Sequence, residues 1–291
     1  MVGNEFMSVL SKLKSVSVSL CSEDSPVGCD AFEPNTLYSP PLPSAAAEAN
    51  PFVSCLMVTR GNTELIKYSL ASYQRQTYAH RELVVVAESY AGEKVRAFID
   101  SQEALNARVF VAPPGLTLGD HRNLAAARAR GAILVNWDDD DVSDPQRLDV
   151  SVQALRKSGA AAAFLSRLLV WWPQRKIAAI SERRAWEQTI TVWRNTMPIY
   201  ASLARGEDTV AIDGLISKNL VAIVHCPLLY VYVVTGRNTW SARHFEAIFA
   251  RADCVFEGDE FNELNALLAD RLPLLEYAAV VNEEAADKIP G

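Results

Sequence analysis

Asp138, Asp139, Asp140 and Asp141 directly follow the largely apolar run at residues 132–137. A buried strand ending in clustered carboxylates offers hard oxygen donors of the kind that suit Mg2+ or Mn2+. Mg2+ is commonly held by one or two protein carboxylates, with water and substrate phosphate completing its shell. If the segment stays extended, alternate side chains share a face, so Asp138 pairs with Asp140 and Asp139 with Asp141. The competing reading is a solvated acidic turn ahead of a helix. Asp144 and Pro145 fit an N-cap and first helical position, predicting a helix through Leu148, Val150 and Leu155. That accounts for Asp144 but not for the tetrad, whose like charges are costly without a cation or a hydrogen-bond network. A calcium loop of the EF-hand type fits poorly, because Ser143 and Asp149 stand where Gly and Glu are wanted.

These carboxylates belong to a chain of 291 residues, 49% hydrophobic and 22% charged, which can bury a substantial core. A formal net charge of −7 argues against a nucleic-acid partner, since phosphate-backbone binding relies on clustered Lys and Arg. Cys21, Cys29, Cys55, Cys226 and Cys254 show no CxxC spacing and read as free thiols in a reducing compartment. No apolar stretch has the length of a membrane span, and residues 1–20 are too serine-rich for a signal sequence, so a cytoplasmic protein is expected.

The elements that must position the tetrad are legible from residue 51 onward. Residues 1–50 read as an N-terminal tail and linker. They offer a short amphipathic helix around Phe6, Val9, Leu10 and Leu13, then a Ser-, Pro- and Ala-rich stretch without apolar periodicity. After Pro51 the pattern predicts a strand at 52–59 and a helix at 62–76 with Leu65, Ile66, Ser69, Leu70 and Tyr73 inward. A strand at 82–87, a helix near 93–101, a strand at 108–112, a helix at 118–130 and the strand ending in the aspartates follow. This alternation predicts right-handed βαβ units on a mostly parallel central sheet flanked by helices. Ligands bind such sheets at the carboxyl ends of the strands, where Thr59, Arg60, Asn62, Glu88 and the tetrad fall.

Four stretches in order carry a resemblance: ValSerCysLeuMetValThrArgGlyAsn at 53–62, LeuGlyAspHisArgAsnLeuAla at 118–125, TrpAspAspAspAspValSerAspProGlnArgLeu at 137–148 and GlyGluAspThr at 206–209. Together they resemble the family 2 glycosyltransferases of GT-A fold from about residue 51 to 246. The resemblance implies an α/β GT-A domain at 51–252, with a nucleotide-sugar-binding half at 51–141 and an acceptor half at 142–252. A C-terminal helical segment follows at 253–291. It also implies an inverting enzyme moving a sugar from a nucleotide-diphosphate sugar, a UDP-sugar in most relatives, to a saccharide or lipid-linked saccharide, with Mn2+ or Mg2+ on the diphosphate.

The family's AspXAsp motif maps onto Asp138, Asp139 and Asp140, with Asp140 as metal ligand and Asp138 nearer the ribose or sugar. Glu207 and Asp208 resemble the family's GluAsp pair, which carries the base to Asp208 and a supporting role to Glu207. Their plain alternative is a pair of acids stabilising a helix N-terminus. Trp186, Glu187 and Gln188 occupy the region where similar enzymes contact the acceptor, although a tryptophan flanking a strand is commonly core. Trp171 and Trp172, adjacent on an extended segment, must face opposite ways. Residues 226–240 look like the family's late strand and a loop over the donor diphosphate. Arg237, Arg243 and His244 are then phosphate contacts, with His244 alternatively a metal ligand, or all three are ordinary surface residues. Arg122 is a further donor-site candidate whose alternative is a helix salt bridge. The chain departs from the family where Ala87, Glu88, Ser89 and Tyr90 replace an AspAspGlySer-like turn, so either Glu88 substitutes for the uracil-reading aspartate or the base is held otherwise.

Leucines between 260 and 281, interrupted at Pro273, predict one or two amphipathic helices. These could pack on the domain, form a homodimer contact or lie on the inner face of the membrane, which would suit polysaccharide biosynthesis. Two other functions compete with the transferase. A metal-dependent phosphohydrolase leaves Glu207 and Asp208 without a task, and a catalytically silent nucleotide-sugar-binding or scaffold protein would bind without turnover.

Overall fold

The alternation expected after residue 51 is realised in the computed structural model, which describes residues 7–15, 29–32, 50–102 and 105–286. Its first half contains α1 (Met7–Ser15), β1 (Cys29–Phe32), β2 (Val53–Thr59), α2 (Thr63–Gln74), β3 (Arg81–Ala87), α3 (Gly92–Asp100), β4 (Ala107–Val111), α4 (Leu118–Arg128) and β5 (Ile133–Asn136). Strands β5, β2, β3 and β4 are parallel neighbours, so their carboxyl ends share one edge. Burial follows the strand period of two: Cys55, Met57, Leu83 and Val85 face one core, while Leu56, Val84 and Val86 face the other. Helices α2 and α3 cover the first face with Ile66, Leu70, Val95 and Ile99, and α4 with the residue that follows it covers the second with Ala125 and Ala129.

The second half contains β6 (Val142–Ser143), α5 (Arg147–Ser158), β7 (Ala162–Leu165), β8 (Leu169–Trp172), β9 (Ile177–Ile180), β10 (Thr191–Trp193), α6 (Glu207–Ile216), β11 (Val221–Val224), β12 (Tyr230–Val233), α7 (Ala242–Ala250), β13 (Cys254–Glu257), α8 (Asp259–Leu268) and α9 (Leu274–Ala286). The large sheet runs β1-β11-β7-β10-β5-β2-β3-β4, with β10 antiparallel to both of its neighbours. A second sheet, β13-β9-β8-β12-β6, has strands of two to four residues, too short to show a periodic pattern in the sequence. It packs on α1, α8 and α9 through Trp171, Phe256, Phe261, Leu264 and Tyr277. Trp171 faces this smaller core and Trp172 the larger one, as their adjacency requires. Helix α9 packs back on the domain, where Tyr277 stacks on Tyr68 of α2 at 4.3 Å. Among the described residues no helix is long and apolar enough to cross a membrane.

Three local features differ from the sequence expectation. Asp144 does not cap α5. The helix begins after a turn, in which Asp144 accepts the Gln146 amide at 2.9 Å and pairs with Arg271 at 2.5 Å. Cys29–Phe32, inside the stretch read as linker, pairs with β11 through backbone bonds that need no apolar periodicity. Cys55 and Cys254 are free, but Cys226 is disulfide-bonded, since an odd number of cysteines does not prevent some from pairing.

Candidate active site

The carboxyl ends of β2, β3 and β5 border a cavity of about 510 Å³ that is closed on the other side by residues 184–188, residues 204–209 and the segment after β12. The aspartates do not prolong β5. The chain turns after Trp137, so the alternate-face pairing of an extended segment is lost and each carboxylate has its own neighbours. Asp138 lies 3.4 Å from Arg122 and accepts the Tyr230 hydroxyl at 3.0 Å. Asp139 accepts the Thr59 hydroxyl, whose oxygen accepts the Gly61 amide at 2.9 Å. Asp140 accepts Asn238 Nδ2 at 3.0 Å. Asp141 is buried, accepting the Val233 amide at 2.7 Å and the Tyr230 hydroxyl, which makes it an anchor to β12.

Burial lifts the carboxyls of Asp139, Asp140 and Asp141 above the ordinary carboxylate range, and the neighbouring aspartates lift them further. Hydrogen bonds from Thr59 to Asp139, and from Tyr230 and the Val233 amide to Asp141, oppose that rise. Beneath the turn, buried Arg147 lies 4.9 Å from the Trp137 ring and 4.6 Å from the Tyr230 ring and donates to the Asn136 carbonyl at 2.7 Å. Among the described residues no three His, Cys, Asp or Glu side chains converge as a closed metal cage. The concentrated negative charge instead fits the open type of Mg2+ or Mn2+ site, in which one or two carboxylates share the ion with substrate phosphate.

Opposite the turn, Thr117 and Asp120 form a capping box that starts α4. Gly119 lets the 201–203 segment approach so closely that a Cβ there would lie 1.9 Å from the Ala201 carbonyl oxygen. This brings Arg122 to Glu207, with Nε 2.8 Å from Oε1. Burial works against the Arg122 charge, but Asp138, Tyr200 and Glu207 outweigh it and keep the guanidinium protonated. Burial likewise lifts the Glu207 carboxyl, opposed by Arg122. Gly206, at φ +70°, turns the chain just before α6. Glu207 is consequently buried, whereas Asp208 is half-buried on the cavity wall and accepts the Thr209 amide at 2.9 Å.

A family model, "Glycosyl transferase family 2", matches residues 54–205, a span that holds the aspartate turn, Arg122 and residues 184–188. The chain belongs to glycosyl transferase family 2. No curated protein sequence matches it. The S. aureus TarS fragment 1–349 resembles it with a TM-score of 0.52 and 15% identity, over 64% of this chain and 61% of that one. The same fragment in complex with UDP gives 0.54, again at 15% identity with 64% and 61% covered. In complex with UDP-GlcNAc it gives 0.53 at 15% identity, with 63% and 58% covered. This chain therefore spans about 61% of the length of the first of these structures, and the likeness at this identity is one of fold, the GT-A fold.

In this member of glycosyl transferase family 2, Thr59, Arg60, Glu88, Arg122, Asp138, Asp139, Asp140, Trp186, Glu187, Gln188, Glu207, Asp208 and His244 share the cavity. Trp186 and Glu187 are buried, with Arg184 over the indole and paired to Glu187, which leaves Gln188 the more accessible of the three. His244 stacks on Trp240 at 4.6 Å, and burial, then Arg184 and Arg251, lower its pKa. Three expected residues do not line the cavity. The Asn62 carbonyl accepts the Leu65 and Ile66 amides, placing the residue at the start of α2. Arg237 is exposed on the turn that Asn238 closes by accepting the Thr235 amide at 2.9 Å, and Arg243 is exposed in the first turn of α7. Tyr230, Asn238, Trp240 and Arg205 also stand at the site, and no motif in the sequence singles them out. A tyrosine in a buried aliphatic strand needs a hydroxyl partner, which could have flagged Tyr230. Asn238 reads from sequence only as a turn residue.

Proposed function

We propose that the protein is an inverting glycosyltransferase that moves a sugar from a UDP-sugar to a hydroxyl of a saccharide or lipid-linked saccharide. The observation that carries this reading is that Arg122 ties the two walls together, bonding Asp138 on one side and Glu207, the neighbour of Asp208, on the other. The UDP and UDP-GlcNAc complexes of TarS, a protein of similar fold, favour uridine in the donor.

The donor diphosphate belongs at the ends of β2, β3 and β5, beside Arg60, with Glu88 available to the nucleotide. Asp140, with Asp138, would hold a divalent cation, which when bound offsets the charge that develops on the departing diphosphate. Asp208 accepts the proton of the acceptor hydroxyl as its oxygen attacks the anomeric carbon opposite the leaving group, so the configuration inverts. Glu207, engaged by Arg122, positions Asp208 and is not itself the base. Gln188, which lines the cavity, would bind acceptor hydroxyls.

Calorimetric titration of UDP, GDP, dTDP and CDP, with and without Mn2+, tests the donor site on wild type and Asp140→Ala. Metal-dependent binding of UDP, lost in Asp140→Ala, is expected. Failure of every diphosphate to bind with metal present refutes the reading. Asp208→Asn should lose turnover by about a thousandfold and retain UDP affinity, and equal loss of both would move Asp208 out of the base role.

A further inference from the structure

At the rim of the cavity stands a cation that, among the described residues, lacks a counter-charge. Arg205 is exposed, lines the cavity and precedes Gly206, whose left-handed turn leaves Arg205 at the rim while Glu207 turns inward. Its guanidinium lies 5.9 Å from the centroid of the Trp240 ring. Among the described residues it has neither a carboxylate nor a hydrogen-bond acceptor, whereas Arg122 is paired with Glu207, Arg184 with Glu187, and Arg60 donates to Thr239 at 3.1 Å.

An exposed arginine is most often merely solvated, but two features set this one apart. Trp240 holds it by a cation–π contact, and Trp240 is itself fixed by stacking on His244 at 4.6 Å and 16°, with His244 edge-on to Phe245 at 5.4 Å. Trp240 nevertheless remains 40% exposed and lines the same cavity. The second feature is charge placement. Deeper in, the walls carry Asp138, Asp139, Asp140 and Asp208, so an anionic group on an acceptor is repelled there, whereas Arg205 offers it a cation that no carboxylate among the described residues engages.

Resting on the transferase reading above, we infer that Arg205, braced by Trp240, is an acceptor subsite for an acidic saccharide. The guanidinium holds a carboxylate or phosphate of the acceptor by charge-assisted hydrogen bonds while a nearby hydroxyl reaches Asp208, three positions along the chain. The donor diphosphate is assigned to Arg60, which reaches the same loop through Thr239 at 3.1 Å, so the UDP affinity of each Arg205 variant separates the two roles.

The test titrates UDP- and Mn2+-saturated protein with oligogalacturonate, a glycerol phosphate oligomer and neutral maltohexaose. Wild type, Arg205→Gln, Arg205→Lys and Trp240→Ala are compared, with UDP affinity measured separately for each. An anionic oligomer should bind about tenfold or more tightly than maltohexaose, consistent with one desolvated charge-assisted contact. Arg205→Gln should erase that preference, Arg205→Lys keep part of it and Trp240→Ala weaken it, with UDP affinity held within about twofold in all three. The preferred oligomer distinguishes carboxylate from phosphate. Equal binding of charged and neutral oligomers by wild type, or a preference that survives Arg205→Gln, overturns the inference alone. So does Arg205→Gln weakening UDP, which would place the residue at the donor. Failure of wild type to bind UDP overturns the transferase reading, and the inference with it.

Discussion

Glu207 Oε1 and Arg122 Nε lie 2.8 Å apart, with only 2% of the Glu207 side chain and 12% of the Arg122 side chain exposed. The pair fastens α6 to α4 and holds the start of α6 across from the aspartate turn. Removing one member of such a pair leaves a buried charge without compensation. Glu207→Ala should therefore lose about 3 kcal/mol of stability in urea unfolding. Glu207→Gln, which keeps an acceptor for Arg122, should lose less, and both should lower kcat more than they raise the donor KM.

Asp140 and Asp141 are adjacent in sequence but should respond in opposite ways to removal. Asp141→Ala strips the partner from the buried Val233 amide and leaves the Tyr230 hydroxyl with Asp138 alone, a loss of about 2 kcal/mol, while metal-dependent UDP binding persists in a folded fraction. Asp140→Ala relieves like charge and should leave the urea midpoint unchanged or raised while abolishing metal-dependent UDP binding. Calorimetry and urea titration on both variants separate the two roles.

Glu82 predicts the acid behaviour of the fold. Burial pushes its carboxyl up, but bonds from Ser54 Oγ at 2.7 Å, the Arg130 amide at 2.8 Å and Arg108 Nε at 2.9 Å outweigh burial, holding it below the ordinary value of 4.5. A depressed folded pKa stabilises the protein above the unfolded value, and that contribution is lost as pH falls through the folded one. Stability should accordingly fall more steeply below about pH 4.5 in wild type than in Glu82→Gln, with the variant less stable at neutral pH. Parallel acid limbs in denaturant titrations across pH would contradict this.

Gly119→Ala places a methyl 1.9 Å from the Ala201 carbonyl oxygen, a backbone atom that must move. The 201–206 segment shifts with it, so a stability loss of about 2 kcal/mol and a fall in kcat are expected. Gly214→Ala is the control, because nothing lies within 4 Å of the point its methyl would occupy on α6. It should gain a few tenths of a kcal/mol up to about 1 kcal/mol, read as a higher Tm.

What the sequence revealed and concealed follows from the range over which each feature is determined. Strands β2, β3 and β5 were legible because long apolar runs report a sheet buried on both faces. The second sheet was not, because its short strands depend on partners distant in the chain. The aspartate turn shows the same division. Its presence and position were readable, but the departure from an extended course is tied to Tyr230 and Val233, and Val233 is 92 residues from Asp141. Arg237 and Arg243 had suitable chemistry, yet the turn closed by Asn238 and the exposed side of α7 keep them off the cavity lining. Arg205 carried no motif at all, and only its place beside Trp240 singles it out.

The Tyr277 hydroxyl donates to the Asp140 backbone carbonyl at 2.7 Å. The last described helix, rooted in a different core, thus has its grip on the segment where the diphosphate should sit. A change that loosens that helix therefore also removes the donor that holds the Asp140 carbonyl, so the back of the molecule contributes to the shape of the aspartate turn.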